Sequence, residues 1–377
     1  MKKLLCFVFL IILILCTFGV KAEDMQISSK SYILLEADSG KILYEYNADE
    51  NLPPASITKI MTMLLTVEAI DNGQIRETDI VTVSGNAAVK KGSHVFLAEG
   101  EKITIEELLK SVAVASGNDA SIALAEYLCG SQESFVSNMN RKASELGMTN
   151  TNFVNCNGLD AENHYSTARD ISIMTRELLK HKIIFKYTTI WMDTIRNGEF
   201  ELSNTNKLIR FYEGANGMKT GFTDKAGSCI SATAKRNGMQ LIAVVLGAPT
   251  SKDRFSDASK LLNYGFDNYE LAEFSNKDNV VKYIEVINGE KAVLKTRYNK
   301  NTVCAIKKNS RNNITSQLQI PANINAPISS GEVVGKTVFK DGSDIIAEVD
   351  IIADESINKI SFKYLMSDFL KRLINIV

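Results

Sequence analysis

The sequence predicts an α+β fold with hairpins and helices in its main part, followed by a small all-β region and a C-terminal amphipathic helix. Three observations support this prediction. Pairs of β-type runs flank tight turns near both ends of the first 270 residues, and helical periodicity fills much of the chain between them. From residue 280 to 352 only short β-type runs remain. With 377 residues, of which 45% are hydrophobic and 23% charged, the chain can form two or three domains.

The first 22 residues have the layout of a secretory signal peptide. Lys2 and Lys3 precede an unbroken apolar run at 4–16, and Ala22 ends the segment before two acidic residues. We expect cleavage after Ala22 and export of the remaining chain. An uncleaved membrane anchor is the alternative, but the run is shorter than the roughly 20 residues that span a bilayer. The bulky Leu15 argues against lipid modification of Cys16.

A hairpin and a buried helix are predicted to open the exported chain. Runs at 32–35 and 41–46 flank Asp38-Ser39-Gly40, whose residues tolerate positive φ. A helix is predicted over 56–65, with Ser56 as its N-cap or in its first turn. Because apolar residues cover most of the circumference of this helix, it should lie in the middle of the fold.

The next elements are two helices and a second hairpin. The stretch 103–128 has helical spacing with a break at Ser116-Gly117-Asn118. Runs at 227–234 and 239–246 surround Asn237-Gly238, a strong hairpin signal. The run 254–266 is predicted to be another amphipathic helix.

The chain ends in a segment typical of helices that lie on a membrane surface. Within 356–377, four basic residues and one acid give a charge of +3, and the apolar residues from Phe362 onward fall on one arc of a helical wheel. Packing of this helix on the β region is the alternative. The predicted domains are a signal peptide at 1–22, a main domain at 23–272, an all-β domain at 273–355 and an anchor helix at 356–377.

Charge and composition exclude several classes of protein. The 43 basic and 44 acidic residues give a net charge of −1, so no overall basic field indicates a nucleic-acid partner. Residues 1–22 hold three lysines and no acid, which leaves the exported chain at −4. The three histidines form no His-x-x-x-His pattern, and we expect neither a metal nor another cofactor.

Four cysteines remain in the exported chain, without a Cys-x-x-Cys pair. They are Cys129, Cys156, Cys229 and Cys304. Export permits disulfides, but four cysteines in so long a chain do not form a disulfide framework. We expect most of them to be buried thiols, and the sequence leaves open whether any of them pair.

Three short motifs could carry chemistry. In Ser56-x-x-Lys59 the two side chains share one helix face, so a lysine made neutral by burial or by a second nearby cation could take the serine proton. By itself this pattern is weak, since Ser356-x-x-Lys359 matches it too. The pattern Ser116-Gly117-Asn118 is weak for the same reason, because residues 84–86 have the same three residue types. Lys219-Thr220-Gly221 is the single Lys-[Ser/Thr]-Gly in the chain, and the ordered set of three is far more informative than any one motif.

These motifs resemble those of a known family. The stretches 54–62, 115–120 and 217–223 are similar to the three active-site motifs of the low-molecular-mass penicillin-binding proteins, the serine D-alanyl-D-alanine carboxypeptidases. The stretches 158–160, 164–170, 204–208 and 261–266 also resemble family segments. The similarity is close over roughly 25–270 and looser beyond. It implies a penicillin-binding/β-lactamase-like catalytic domain of helices around an antiparallel sheet, with the serine at the start of a buried helix.

The resemblance assigns the acylating roles to the first two motifs. It implies that Ser56 is the nucleophile and Lys59 the general base, kept partly neutral by the Lys219 cation. Ser116 would relay the proton to the leaving amine, and Asn118 would hold the substrate's peptide amide.

The resemblance assigns the binding of the substrate's terminal carboxylate to Lys219, Thr220 and Gly221, which suits a cation and a hydroxyl donor. Arg254 would assist them, although a surface helix charge is an equal alternative. The backbone N–H groups of Ser56 and Phe222 would form the oxyanion hole.

Two further residues bear on the resemblance. Asn216 stands where many family members have Asp, which leaves the shape of the chain before Lys219 open. We predict a structural role for His164.

The implied function is removal of the terminal D-Ala from peptidoglycan stem pentapeptides at the outer face of the cytoplasmic membrane or in the cell wall. β-Lactams would act as inhibitors. A β-lactamase is disfavoured because no convincing Glu-x-x-x-Asn element lies between Ser116 and Lys219. The motifs do not exclude DD-endopeptidase or transpeptidase activity. A non-catalytic cell-wall binding protein would have lost Ser56 or Lys59, and both are present.

Overall fold

The computed structural model describes residues 25–89 and 91–374, so the predicted signal peptide lies outside the described residues. The strands are β1 (Ser31–Glu36), β2 (Ile42–Tyr46), β3 (Ile80–Thr82), β4 (Lys102–Thr104), β5 (Met192–Ile195), β6 (Phe200–Ser203), β7 (Ala215–Thr223), β8 (Gly227–Arg236), β9 (Met239–Ala248), β10 (Tyr269–Ser275), β11 (Val280–Ile287), β12 (Val293–Tyr298), β13 (Thr302–Lys307), β14 (Ile314–Gln319), β15 (Asn323–Asn325), β16 (Val333–Asp341) and β17 (Asp344–Ala353).

The α-helices are α1 (Lys59–Asp71), α2 (Gly85–Ala88), α3 (Ile105–Ala113), α4 (Asn118–Cys129), α5 (Gln132–Glu145), α6 (Ala168–Lys180), α7 (Phe185–Thr188), α8 (Leu208–Phe211), α9 (Ser251–Asn268) and α10 (Phe362–Ile374). Short 3₁₀ turns cover Ala55–Thr58, Lys182–Ile184, Arg196–Gly198 and Arg311–Asn313.

A five-stranded antiparallel sheet with the order β2-β1-β9-β8-β7 forms the centre of the larger part of the molecule. Side chains alternate between its two faces along each strand. On β9, Ile242 and Val244 belong to one core while Leu241 and Ala243 belong to the other. Both faces are therefore buried, which explains the nearly continuous apolar run of this strand.

Helices cover both faces of the sheet, as the family resemblance implies. Most helices, α1 and α6 among them, share the larger core on one face, and α9 packs on the other. Nine of the 13 residues of α1 are buried, so the prediction of a helix in the middle of the fold is confirmed. Ser56, however, lies in the 3₁₀ turn that precedes this helix and caps no α-helix.

The other predicted elements are present with small shifts at their ends. The two hairpins are β1–β2 and β8–β9, and the helix–loop–helix is α3 and α4 with the break at 114–117. Helix α9 is longer than predicted because the Thr250 hydroxyl caps its N-terminus by accepting a hydrogen bond from the backbone N–H of Asp253.

The C-terminal part is almost entirely β. One sheet has the order β14-β16-β17-β12-β11-β15, and β10 pairs separately with β13. Strand β10 follows α9 directly and spans the predicted boundary at 272/273. Ala305 of β13 belongs to the same buried cluster as α9, and Lys41 Nζ donates to its carbonyl at 3.0 Å. These contacts join the two parts.

The C-terminal helix begins at Phe362 and not at the predicted Ser356. Ile357 is only 2% exposed and forms a β-bridge with Ile328, so the residues around it complete the β part instead. In α10 the Tyr364 hydroxyl donates to the carbonyl of Glu290, while Phe362 and Phe369 are 76% and 59% exposed. Within 25–89 and 91–374, no helix combines the length and apolar character needed to cross a bilayer.

The four cysteines of the described chain are thiols. Three of them are buried and Cys129 is half-buried.

Candidate active site

A buried lysine amine joins three residues that are far apart in the chain. Lys59 Nζ lies 2.9 Å from Ser56 Oγ. The same nitrogen lies 2.7 Å from Asn118 Oδ1 and 2.6 Å from the carbonyl oxygen of Asn157. Ser56 is half-buried and Lys59 is fully buried. The hydroxyl is thus accessible from outside, while the amine behind it is not.

The turn before α1 positions the serine. Ala55 has a φ of +49°, a strained value for a residue with a side chain, and the 3₁₀ turn that it begins leads into α1. Two glycines allow other segments to approach this turn closely. A Cβ on Gly158 would lie 1.9 Å from the Ala55 carbonyl oxygen, and one on Gly221 would lie 2.9 Å from the Ser56 nitrogen. The nucleophile turn, Ala55–Thr58, is therefore held between the loop at 157–160 and β7.

Burial lowers the pKa of Lys59 to about 7. Removal of the amine from water is thus the main cause of this shift, ahead of the Lys219 cation that the resemblance implied. The repulsion between the two amines is mutual, and it also acts on Lys219. The pKa of Lys219 is lowered well below its usual value by burial first, and then by the charges of Lys59 and Arg254. Three cationic groups thus share one small region.

The connection between α3 and α4 provides the second motif. Ser116 is 4% exposed and has a φ of +64°, another strained backbone position. The side chain of Asn118 bridges two segments, since its Oδ1 accepts from Lys59 and its Nδ2 donates to the carbonyl of Lys91 at 2.7 Å. The hydrogen bonds of Lys59 go to Ser56, Asn118 and Asn157, so the relay role of Ser116 stays a prediction.

Strand β7 carries the third motif along the opposite side of the serine. Lys219 Nζ donates to the Thr220 carbonyl at 3.0 Å, and the Thr220 hydroxyl donates to Thr205 Oγ1 at 2.8 Å. Arg254 of α9 is only 8% exposed and donates through Nη1 to the Gly221 carbonyl at 2.9 Å. It is therefore no surface charge. Its buried Nε has no hydrogen-bond partner among the described residues.

The close approach of Gly221 to the Ser56 nitrogen brings β7 and the nucleophile turn together. These are the two segments expected to supply the N–H groups of the oxyanion hole. Phe222, the second expected donor, follows directly on β7, and its ring is 60% exposed at the rim of the site. The pair is adjacent in space, while its function as an oxyanion hole stays a prediction.

Sequence reasoning missed two residues of this site, Asn157 and Thr205, and gave a third, His164, only a structural role. Asn157 offers its carbonyl to Lys59, Thr205 accepts from Thr220, and the ring of His164 lies 2.9 Å from Thr58 Oγ1. The first and third lie within or beside the stretches 158–160 and 164–170, and Thr205 lies in 204–208, but none of those stretches has a motif that indicates chemistry.

The amide of Asn216 is occupied within the protein. Its Oδ1 accepts from Thr233 Oγ1 at 2.7 Å, and its Nδ2 donates to Gln240 Oε1 at 2.8 Å. These bonds fix the start of β7, so an amide here serves the structure of the strand.

The two segments that repeat motif patterns outside the site, 84–86 and 356–359, have ordinary structural settings. Ser84 caps the short helix α2 by accepting from the Ala87 N–H at 3.0 Å. Ser356 and Lys359 lie in the extended segment before α10, where a spacing of three residues does not bring side chains together.

Away from the site, the described part of the chain has one group of acidic and histidine side chains with the spacing of metal ligands. Glu68, Glu177 and His181 offer atoms within 4.8 Å of one another in the described chain. Lys142 forms an ion pair with Glu68, and Lys180 forms one with Glu177. Both carboxylates are thus already neutralised, and the cluster contains no residue of the three motifs.

Two family models match most of the chain. The family model described as D-alanyl-D-alanine carboxypeptidase matches residues 18–250, and that of the C-terminal domain of penicillin-binding protein 5 matches residues 269–359. The D-alanyl-D-alanine carboxypeptidase DacF of Bacillus subtilis is 42% identical over 94% of this chain and 91% of its own length.

Solved structures show the same similarity. Penicillin binding protein 5 from Haemophilus influenzae superposes with a TM-score of 0.83 at 32% identity, covering 90% of this chain and 100% of that one. Penicillin-binding protein D2 from Listeria monocytogenes, in an ampicillin-bound form, superposes with a TM-score of 0.57 at 33% identity, covering 64% of this chain and 98% of that one.

Proposed function

The chain belongs to the D-alanyl-D-alanine carboxypeptidase family, and we propose that it removes the terminal D-Ala from peptidoglycan stem pentapeptides through an acyl-enzyme on Ser56. It is a serine carboxypeptidase of the penicillin-binding protein class, and penicillin binds to it. The observation that carries the mechanism is the set of three hydrogen bonds around Lys59 Nζ.

These bonds suit a general base. A neutral amine has two N–H groups and one lone pair. The carbonyl oxygens of the Asn118 side chain and of Asn157 accept both N–H groups, so the lone pair faces Ser56 Oγ at 2.9 Å. Because burial lowers the pKa of Lys59 to about 7, a large fraction of the amine is neutral at pH 7. Lys59 can then take the hydroxyl proton as the serine attacks.

Lys219, Thr220 and Arg254 would bind the carboxylate of the terminal D-Ala. Both cationic side chains are buried, and the Arg254 Nε has no partner among the described residues. A carboxylate placed beside them would satisfy this donor and, as an opposite charge, would raise the lowered pKa of Lys219 again. The site therefore favours a substrate that ends in a free carboxylate.

The reaction has two stages, acylation of Ser56 and hydrolysis of the resulting ester. Ser56 Oγ bonds to the carbonyl carbon of the penultimate D-Ala as its proton passes to Lys59, and the backbone N–H groups of Ser56 and Phe222 stabilise the oxyanion. The C–N bond then breaks, and the proton that Lys59 took is relayed through Ser116 to the leaving D-Ala amine, so Lys59 is neutral again. A water molecule next attacks the ester as Lys59 takes one of its protons, the bond to Ser56 Oγ breaks, and Lys59 returns this proton to Ser56 as the shortened peptide leaves.

We also propose that the protein acts outside the cytoplasm, on the membrane surface. The signal-like segment at 1–22 supports export, and the stem peptides lie outside the cell membrane. In α10, the side chains of Leu365, Met366 and Leu370 are 45–51% exposed. They give the helix an exposed apolar side on a segment of net charge +3, which suits binding to an anionic lipid surface.

The decisive experiment uses residues 23–377 and a matched Ser56→Ala variant. Both are incubated with a diacetyl-Lys-D-Ala-D-Ala peptide and, separately, with a fluorescent penicillin. We expect the parent chain to release D-Ala and become covalently labelled, and the variant to lose on the order of 10⁴-fold or more of its activity and all of its labelling. Release or labelling that survives in the variant would exclude Ser56 as the nucleophile.

A further inference from the structure

A chain of hydrogen bonds runs from a loop to the nucleophile turn through His164, a residue that takes no part in the mechanism above. The backbone N–H of Val154 donates to His164 Nδ1 at 2.9 Å. His164 Nε2 lies 2.9 Å from the hydroxyl of Thr58. That hydroxyl donates to the carbonyl oxygen of Ala55 at 2.8 Å. The chain therefore ends at the residue directly before Ser56.

The direction of each bond follows from chemistry. A backbone N–H can only donate, so Nδ1 of His164 carries no proton and the neutral ring has its hydrogen on Nε2. Nε2–H therefore donates to the Thr58 oxygen, and the hydroxyl hydrogen of Thr58 is left to point at Ala55. A threonine hydroxyl alone can rotate freely, whereas this arrangement allows one orientation.

The surroundings keep the ring in this state. His164 is 5% exposed and its ring packs against that of Phe153. Burial lowers the pKa of His164 to about 4, although the nearby Asp160 carboxylate acts in the opposite direction. The imidazole is therefore neutral over the working range of pH, and a proton on Nδ1 would meet the N–H of Val154.

The end of the chain of bonds is the strained part of the site. Ala55, with its φ of +49°, needs surrounding contacts to keep its conformation. Thr58 stands between Ser56 and Lys59, and its hydroxyl closes the turn that carries both. Loss of this closure would let Ser56 Oγ move away from the amine, and catalysis is sensitive to misplacement by about 1 Å.

We propose that His164 is a positioning residue that, as a single tautomer, fixes the turn Ala55–Thr58 and so holds Ser56 Oγ against Lys59. The inference rests on the proposed function of Ser56. His164 acts through Thr58 and does not contact the reacting atoms. Its effect should therefore fall on the rate of acylation and not on the binding of the carboxylate by Lys219 and Thr220.

The test compares amide substitutions at this one position. The amide of a glutamine reaches about as far as Nε2 of histidine and can donate to Thr58, whereas that of an asparagine reaches only as far as Nδ1. We expect His164→Ala and His164→Asn to lower kcat and the rate constant of acylation by a fluorescent penicillin by roughly 10–100-fold, with KM for the peptide nearly unchanged. His164→Gln should keep these rates within about threefold of the parent chain.

A double-mutant cycle tests the route of the effect. Thr58→Val removes the hydroxyl and keeps the shape, so it breaks the same chain of bonds as His164→Ala. The double variant should therefore be no slower than the slower single variant. Multiplied losses would show independent effects and would overturn the proposal.

Controls separate this inference from the proposed function. Labelling that persists in Ser56→Ala would contradict the function itself, whereas an inactive Ser56→Ala beside a fully active His164→Ala would contradict only the role of His164. Melting temperatures are measured for every variant, and His181→Gln serves as a control at the end of α6. If the Gln and Asn variants lose acylation rate equally, and in proportion to their loss of melting temperature, His164 acts only as a core residue. That result would also overturn the proposal.

Discussion

At the scale of single residues, burial is the force that prepares this site. The fully buried Lys59 has the pKa of a base that can work near neutral pH, and burial is the largest cause of that shift. Two carbonyl oxygens and one hydroxyl, which can accept or donate, surround its nitrogen, so the amine keeps its position in either protonation state. Burial is therefore the main reason that this lysine can act as a base.

This cause predicts a specific pH dependence of acylation. Lys59 can accept the Ser56 proton only as a neutral amine, and a pKa of about 7 means that the neutral fraction falls tenfold for each pH unit well below 7. The rate constant of acylation by penicillin should therefore rise with pH through about 7 and level off above about 8. Stopped-flow measurements from pH 5 to pH 9 test this, with circular dichroism as a check of folding. A rate constant that is flat over this range, or still rising steeply at pH 9, would contradict it.

The sequence predicted the local part of the site and missed its distant partner. Ser56 and Lys59 are three residues apart, so the periodicity of a helix start is enough to bring them together. Asn157 lies 98 residues after Lys59 and contributes a backbone carbonyl. Every residue has such a group, and hence no side-chain pattern can indicate which carbonyl a fold will place beside the amine. The role of Arg254 was ambiguous for a related reason, since a helix charge reveals nothing about its burial.

At the scale of elements, the nucleophile turn depends on close contacts with two other segments. The sequence predicted a helix at Ser56, but the structure has a 3₁₀ turn with a strained Ala55 before α1. Local preferences do not produce a positive φ at alanine. The contacts of the turn with Gly158 and Gly221 explain why it occurs, and these contacts come from parts of the chain more than 100 residues away.

Two glycine variants measure the contribution of this contact. Gly158 and Gly147 have φ values of +83° and +77°, so an alanine at either position pays a similar conformational cost of about 1 kcal/mol in the free energy of unfolding. A Cβ at 158 would also lie 1.9 Å from the Ala55 carbonyl oxygen, whereas one at 147 meets nothing within 4 Å. We expect Gly158→Ala to be clearly less stable than Gly147→Ala and to lose more than tenfold in acylation rate.

Urea unfolding and penicillin labelling of both variants provide the comparison. Gly147→Ala is the matched control, because it shares the backbone cost and lacks the clash. If both variants acylate at the parent rate, the close approach of Gly158 does not position the nucleophile turn.

At the scale of the whole molecule, the sequence predicted the kinds of structure better than the borders between them. The change from mixed to all-β structure was visible, because strands with turn residues replace helical periodicity after about residue 275. The borders were less visible, since β10 continues directly from α9 and the β part includes Ile357. An apolar residue at the end of a strand looks the same in sequence as one at the start of an amphipathic helix.

The position of Ile357 predicts that two truncations only six residues apart will behave differently. Removal of 362–377 takes away α10 alone, whereas removal of 356–377 also takes away Ile357, which is 2% exposed and bridged to Ile328. Loss of this buried side chain and its backbone bonds should cost about 3 kcal/mol in the free energy of unfolding. We expect the shorter deletion to keep the stability and the soluble-peptide activity of residues 23–377, and the longer one to unfold at lower urea concentration.

Both truncations should lose binding to vesicles that contain anionic lipid, because both lack the exposed apolar side of α10 and the net charge of +2 carried by 362–377. The parent chain should bind these vesicles more strongly than neutral ones, and salt should weaken the difference. Cosedimentation of the three proteins measures this directly. The shorter deletion is the sharper test, since its β part is intact and any loss of binding comes from α10 itself. If it still cosediments with the vesicles, the membrane contact lies elsewhere in the protein, and α10 is not the anchor.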